Sequence, residues 1–170
     1  MKRRTHNLFS FATSLLISLD LLNLNIFYAT MLSIYLSTAI NWAIDSVAGH
    51  KGFKRTPYTH SVLGASTISI IVIMPVLFFI YSYSLKNILT KLITSLTLIS
   101  IVIGYTHLLL DLFTVDGVYL FWPLSRKKIS LLKVRYDNFI ANTLITLVSI
   151  TIIVGVLFNK LKIYVNSFVP

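Results

Sequence analysis

The sequence predicts an all-α integral membrane protein. It reads as one multi-span domain, a bundle of about five transmembrane helices with a cytoplasmic N-terminus. Three observations carry this. Hydrophobic residues make up 56% of the 170 and charged residues 12%, where a soluble chain carries roughly 25% charged residues. Mean hydropathy is +0.82. Apolar stretches near the roughly 20 residues that cross a bilayer recur along the chain. Disorder is excluded, because it needs low hydrophobicity and high charge. The absence of Cys removes disulfides, thiolate catalysis and Cys-type zinc sites.

The elements follow in order. The charges of residues 1–4 would suit a signal peptide, but Asn, Ser and Asp interrupt the apolar stretch that follows, so it is read as a retained membrane segment. From Thr5 to Ile44 the only charged side chain apart from His is Asp20. That stretch is too long for one crossing. Asn23-Leu24-Asn25 supplies a turn, so the expected spans are 8–22 and 26–44. A loop over 45–59 holds Gly49, Gly52 and Pro57. Further spans are expected at 61–84, 92–110 and 138–158, with a polar, aromatic loop over 111–137.

Charge sets the orientation. Lys and Arg number 15 against five acids, all Asp, for a net charge of +10. In a soluble protein this would suggest nucleic acid. Here it reads as basic loops beside anionic headgroups, with membrane lipids as partners and no nucleic acid expected. Five crossings place eleven of the 15 basic residues on the face of the N-terminus and the two long loops. The positive-inside rule makes that face cytoplasmic. Tyr119, Phe121 and Trp122 would sit there at headgroup level. Localisation in the cell membrane, multi-pass, is the expectation.

The ionisable residues near that face are the candidates for function. His6 precedes the first span, His50 and His60 lie in or close the 45–59 loop, and His107 is in the last turn of the fourth span. Asp45 and Asp111 lie at the same ends. Polar residues run up helix faces toward them: His6, Ser10, Ser14 and Ser18; Ser33, Ser37, Asn41 and Asp45; Thr97, Ser100, Gly104, His107 and Asp111. Small and hydroxylated residues also serve ordinary helix packing. The His and Asp at the stripe tops do not fit that reading, since such groups are costly in a membrane unless they face a bundle interior or cavity.

His107 and Asp111 are four apart, hence on one helix face with Cβ atoms about 5–6 Å apart. Such a pair can bind one metal ion, or the carboxylate can orient the imidazole. A helix-end His–Asp hydrogen bond is the competing reading. Thr59 or Ser61 is a candidate N-cap that would hold His60 at the mouth of the third span. Asp45, His50 and His60 have the chemistry of nitrogen and oxygen ligands for Zn, Mn or Fe, or of a solvated loop.

These residues resemble the YdjM-like family of predicted membrane-bound metal-dependent hydrolases, especially its archaeal branch. The likeness is carried by Thr5-His6, by Ile44-Asp45-Ser46 with His50, and by the run from Arg55 to Ser61. It continues through the run from His107 to Gly117 and through Trp122-Pro123-Leu124. It covers residues 5–125 and leaves the fifth span outside. The resemblance implies a multi-span helical protein with a His/Asp metal site at one membrane face and a hydrolase activity. Many relatives carry Asp-x-Asp-His where this chain reads Asp45-Ser46-Val47, which favours one divalent ion over two.

If a metal binds, Zn is expected, on His60, His107 and Asp111, with His6 and Asp45 either completing the set or standing just behind it. Asp45 or Asp116 would act as general base, there being no Glu. Arg55 would meet an anionic group with its planar fork, and Lys51 and Lys54 would add field. Asp116-Gly117 also reads as a plain turn. The substrate would be a phosphoester or another polar headgroup bond. Two further functions stay open: a non-catalytic protein whose His/Asp cluster or metal staples helices, and a metal carrier. Carriers tend to hold ligands near the midplane, whereas these gather at one end.

Overall fold

The computed structural model describes residues 1–47, 50–51, 54–83 and 86–166, of which 50, 51, 54, 83, 86–91 and 163–166 are described by backbone alone. Five helices follow one another: α1 (Arg3–Asp20), α2 (Ile26–Ser46), α3 (Val62–Tyr83), α4 (Lys86–Leu112) and α5 (Phe139–Asn166). A two-residue antiparallel ladder, β1 (His50–Lys51) with β2 (Lys54–Arg55), interrupts the loop between α2 and α3.

The helix ends have local causes. Asn25 caps α2, its Oδ1 accepting from the Phe27 N–H at 2.8 Å. Asn23 before it takes a left-handed conformation with φ 49°, which Asn tolerates better than most residues. Ser61 caps α3 by accepting from the Gly64 N–H at 3.0 Å. Of the two cap candidates, Ser61 fills the role and Thr59 does something else. Helix α1 starts at Arg3, five residues before the apolar stretch read from sequence. Asn142 of α5 explains the early start. Its Oδ1 accepts from the Lys2 N–H at 3.1 Å and the Thr5 hydroxyl at 2.7 Å, tying down a polar first turn.

Among the described residues, three helices are long and apolar enough to cross a membrane: Val62–Ser82, Leu92–Leu112 and Phe139–Lys162. Their apolar residues point outward, as in Phe78 on α3 and Phe158 on α5, exposed by 72% and 70%. The hydrocarbon of a bilayer suits such a surface; water does not. Helix α1 is built the other way round. Its buried face carries Thr5, His6, Ser10, Ser14 and Ser18 beside Ala12, Leu15 and Leu19. That polar inner face lowers its hydropathy.

Helix α4 packs against α1, α2 and α3, while α5 lies against α1. The apolar core of Leu36, Ile40 and Ile44 of α2, Ile73 of α3, and Ile99 and Ile103 of α4 holds the bundle below the polar end. Between α4 and α5 the chain folds back in short bridges, Thr114 with Val134 and Val118 with Ile129. It is then stitched to the start of α3: the Tyr119 N–H donates to the His60 carbonyl at 2.8 Å and the Val62 N–H to the Leu120 carbonyl at 3.2 Å. One end of the bundle thus gathers the start of α1, the end of α2, the start of α3 and the end of α4.

Candidate metal centre

Each of those four helix ends delivers one or two ionisable groups to a common point. His6 comes from the first turn of α1, Asp45 from the last turn of α2, His60 from just before α3, and His107 and Asp111 from the last turns of α4. The three imidazoles are fully buried, with exposures of 0–2%. The ring of His6 stacks on that of His107 with centroids 4.2 Å apart, and His60 meets His107 edge-on at 5.6 Å.

Two carboxylates face these rings. Asp111 Oδ1 lies 3.0 Å from His6 Nε2, and its Oδ2 lies 3.3 Å from His107 Nε2 and 3.6 Å from His60 Nε2. Asp45 Oδ1 lies 3.4 Å from His107 Nε2 and 3.6 Å from His60 Nε2. Tetrahedral ligands around an ion with bonds of about 2.0–2.2 Å stand about 3.3–3.6 Å apart. The four spacings between these two imidazole nitrogens and the two carboxylates fall in that range.

A hydrogen-bond chain fixes what His107 offers. Thr106 donates to the Ile103 carbonyl at 2.7 Å, so its one proton is committed. Ser10, 2.8 Å from the Thr106 hydroxyl, is therefore the donor to it. Ser10 in turn accepts from Asn41 Nδ2 at 3.2 Å, and Asn7 Oδ1 accepts from the same nitrogen at 3.1 Å. With its amide nitrogen so engaged, Asn41 turns its Oδ1 to His107 Nδ1 at 2.9 Å. That oxygen only accepts, so Nδ1 carries a proton. In neutral His107 the lone pair is then on Nε2, which is buried and makes no hydrogen bond. A lone pair aimed at two carboxylates is repulsive until a cation stands between them. The donor set therefore fits a divalent ion. The Thr59 hydroxyl sits 2.9 Å from His60 Nδ1, able to donate or accept there, and leaves Nε2 toward the cluster. Burial holds His60 below the ordinary imidazole pKa, despite the opposing pull of Asp45.

Among the described residues, two overlapping groups have ligand atoms within 4.8 Å of one another: His6, His107 and Asp111, and Asp45, His60 and His107. His107 is common to both, and each carboxylate closes its own group.

Residues 1–168 match the family described as YdjM inner membrane protein. The chain belongs to this family. Membership places it in a membrane, in agreement with its outward-facing apolar helices. No curated protein and no solved structure matches it.

In this YdjM family member, five of the six metal candidates named from sequence come together: His6, Asp45, His60, His107 and Asp111. The side chain of the sixth, His50, lies outside the described residues, as do those of Lys51 and Lys54. Arg55 is buried and turned inward. Its Nη2 donates to Asp111 Oδ1 at 2.6 Å, and its Nη1 donates to the Thr114 hydroxyl at 2.6 Å and the Gly117 carbonyl at 3.1 Å. Asp111 also lies 3.1 Å from the Met1 amine. Asp116 is exposed on the turn closed by the Gly117 N–H and the Thr114 carbonyl, and belongs to neither metal-competent group. Sequence reasoning put Asn41 on a polar stripe without seeing its part in orienting His107. Its place one helical turn before Asp45 was the available signal.

Proposed function

We propose that the chain is a membrane-embedded, metal-dependent hydrolase whose site lies near the cytoplasmic face, with all five helices crossing the cell membrane. The observation that carries this reading is His107 Nε2, buried without a hydrogen bond between two carboxylates. Zn is the expected ion, with Mn and Fe as chemical neighbours. His60, His107 and Asp111 would hold it, with His6 and Asp45 beside it.

The count is one ion. Both metal-competent groups draw on Nε2 of His107, and one imidazole nitrogen has one lone pair to give. A bound divalent ion supplies Lewis acidity and lowers the pKa of water to about 7. The chain's residues do the rest. Asp45, with its side chain 17% exposed against 1% for Asp111, is the carboxylate that water can reach and serves as the general base. Arg55 is a positioning residue that holds Asp111 in place through its hydrogen bond to Oδ1. Asp116, on its exposed turn, has no part in this chemistry. The bond cleaved is a phosphoester or another polar headgroup bond, in keeping with a basic face at headgroup depth.

A second reading has its own support. Arg55, His6 and the Met1 amine already surround Asp111, and a proton on His107 Nε2 would also relieve the repulsion. The cluster would then staple four helix ends without a metal. Elemental analysis of the purified chain separates the two. About one equivalent of a divalent metal, lost in both His60→Gln and His107→Gln, supports the hydrolase reading. A wild-type protein free of metal after growth in metal-replete medium, and unchanged in stability by added Zn, leaves the staple.

A further inference from the structure

Outside the metal centre, the loop between α4 and α5 and the start of α3 build two pockets that share one wall, Trp122. The first, of about 500 Å³, is the more polar of the two and is lined by Arg55, Thr56, Tyr58, Tyr119, Trp122 and Arg126. The second, of about 600 Å³, is apolar and runs along α3, past Leu63, Thr67 and Ile70, facing Leu120, Phe121 and Leu124. The ring of Tyr58 meets that of Trp122 edge-on at 5.3 Å, at the boundary between them. Both volumes are typical of small-molecule sites.

The charges of the polar pocket are unbalanced. Neither pocket has an acid in its lining. The fork of Arg55 is taken up by Asp111, Thr114 and Gly117. Arg126 is exposed and forms no ion pair among the described residues. Lys128 adds a second cation at the same wall, its Nζ 5.1 Å from the centre of the Tyr119 ring. The remaining acids are placed elsewhere: Asp20 near Lys160, Asp137 on Arg135, Asp45 and Asp111 in the metal centre, and Asp116 on its turn.

We propose that this pair of pockets binds an anionic phospholipid, its phosphate at Arg126 beside Lys128 and one acyl chain along α3. An arginine fork presents paired donors to phosphate oxygens, and tyrosine and tryptophan belong at headgroup depth. From Leu63 to Ile70 the helix rises roughly 10 Å, the start of a path for an acyl chain into the hydrocarbon. Leu124, exposed by 94%, needs such a cover. No residue of either metal-competent group lines these pockets, so this site stands independently of the hydrolase reading.

The test uses the full chain carrying Trp42→Phe, which leaves Trp122 as the only tryptophan, in bilayers of phosphatidylcholine. A small fraction of brominated phosphatidic acid or brominated phosphatidylcholine is added, and quenching of Trp122 reports which lipid occupies the site. The expected result is preferential quenching by the anionic lipid. Arg126→Ala should cut that preference about tenfold, the size of one charge-assisted hydrogen bond. Arg126→Lys should retain part of it. Excess inorganic phosphate should leave quenching in place, because it lacks the chain. Equal quenching by the two lipids, a preference that survives Arg126→Ala, or displacement by phosphate alone overturns the proposal. Arg126 is exposed, so its substitution should not unfold the protein; an unchanged Trp122 emission spectrum without brominated lipid checks this.

Discussion

Asn41 and His107 meet through Oδ1 and Nδ1 at 2.9 Å, and this contact dictates what the opposite nitrogen of the ring can do. The amide cannot turn over without giving up Asn7 and Ser10. Helices α1 and α2 therefore hold the tautomer of a residue on α4. Partners of this kind commonly change metal affinity by about 10–100-fold when removed.

Asn41→Leu should accordingly weaken Zn binding by about 10–100-fold while leaving the helices folded. Asn41→Asp keeps an acceptor at the same place and should lose less. Competition with a chromophoric chelator measures both. Equal affinity in wild type and Asn41→Leu would show that the tautomer is set by something else.

Arg55 makes a second prediction, in stability. It is 7% exposed and its partner Asp111 1%, so removing the guanidinium leaves a carboxylate buried with fewer donors. Breaking a buried pair from one side typically costs about 3–5 kcal/mol. His6 and the Met1 amine remain near Asp111, so Arg55→Ala should fall toward the lower end, about 3 kcal/mol. Arg55→Lys should cost less, keeping the charge but losing the fork that also reaches Thr114 and Gly117. Denaturation in detergent, followed by helical circular dichroism, gives the comparison.

Much of this centre was legible in the chain. The four-residue spacing of His107 and Asp111 puts both on one face of α4 wherever that helix lies. The stripes ending at His6 and Asp45 mark inward faces, because a polar row on an apolar helix has to be buried against another. Arg55 was harder to read. A basic residue in a loop sets topology in most membrane proteins, and only the fold-back of residues 113–134 onto the bundle end turns its fork inward. Helix α1 outruns the expected span 8–22 for a similar reason. Hydropathy marks where a helix is apolar, whereas the hydrogen-bonded helix of α1 continues through a polar turn held by Asn142.

Three glycines separate close packing from mere helix composition. A Cβ on Gly64 would collide with the carbonyl oxygen of Tyr58 and stand 3.0 Å from Thr59 Cα. That backbone carries His60 and cannot yield without moving it. A Cβ on Gly104 would meet the Ser69 hydroxyl, which can rotate, and the Ala65 carbonyl oxygen at 3.1 Å. Nothing lies within 4 Å of the same position on Gly155. Gly64→Ala should cost about 2–3 kcal/mol and Gly104→Ala about 1 kcal/mol. Gly155→Ala should be neutral or slightly stabilising, since Ala favours a helix over Gly. Thermal denaturation of the three variants in one detergent tests the order.

The two aspartates offer the sharpest division between catalysis and architecture. Asp111 accepts from Arg55 and lies against His6, His60 and His107. Asp111→Asn should therefore lose stability and metal together. Asp45 sits at the more open edge of the cluster, its side chain 17% exposed, with the Arg3 Nε 4.0 Å away. Asp45→Asn keeps the shape and one acceptor oxygen but removes the base. It should melt within a few degrees of wild type, retain most of its metal, and lose at least about 100-fold in turnover of a susceptible phosphoester, the lower end for a general base. A helix staple predicts another pattern, in which damage to either aspartate shows in melting alone and no turnover exists to be lost. Measuring metal content, melting temperature and hydrolysis on the same three preparations (wild type, Asp45→Asn and Asp111→Asn) distinguishes the two.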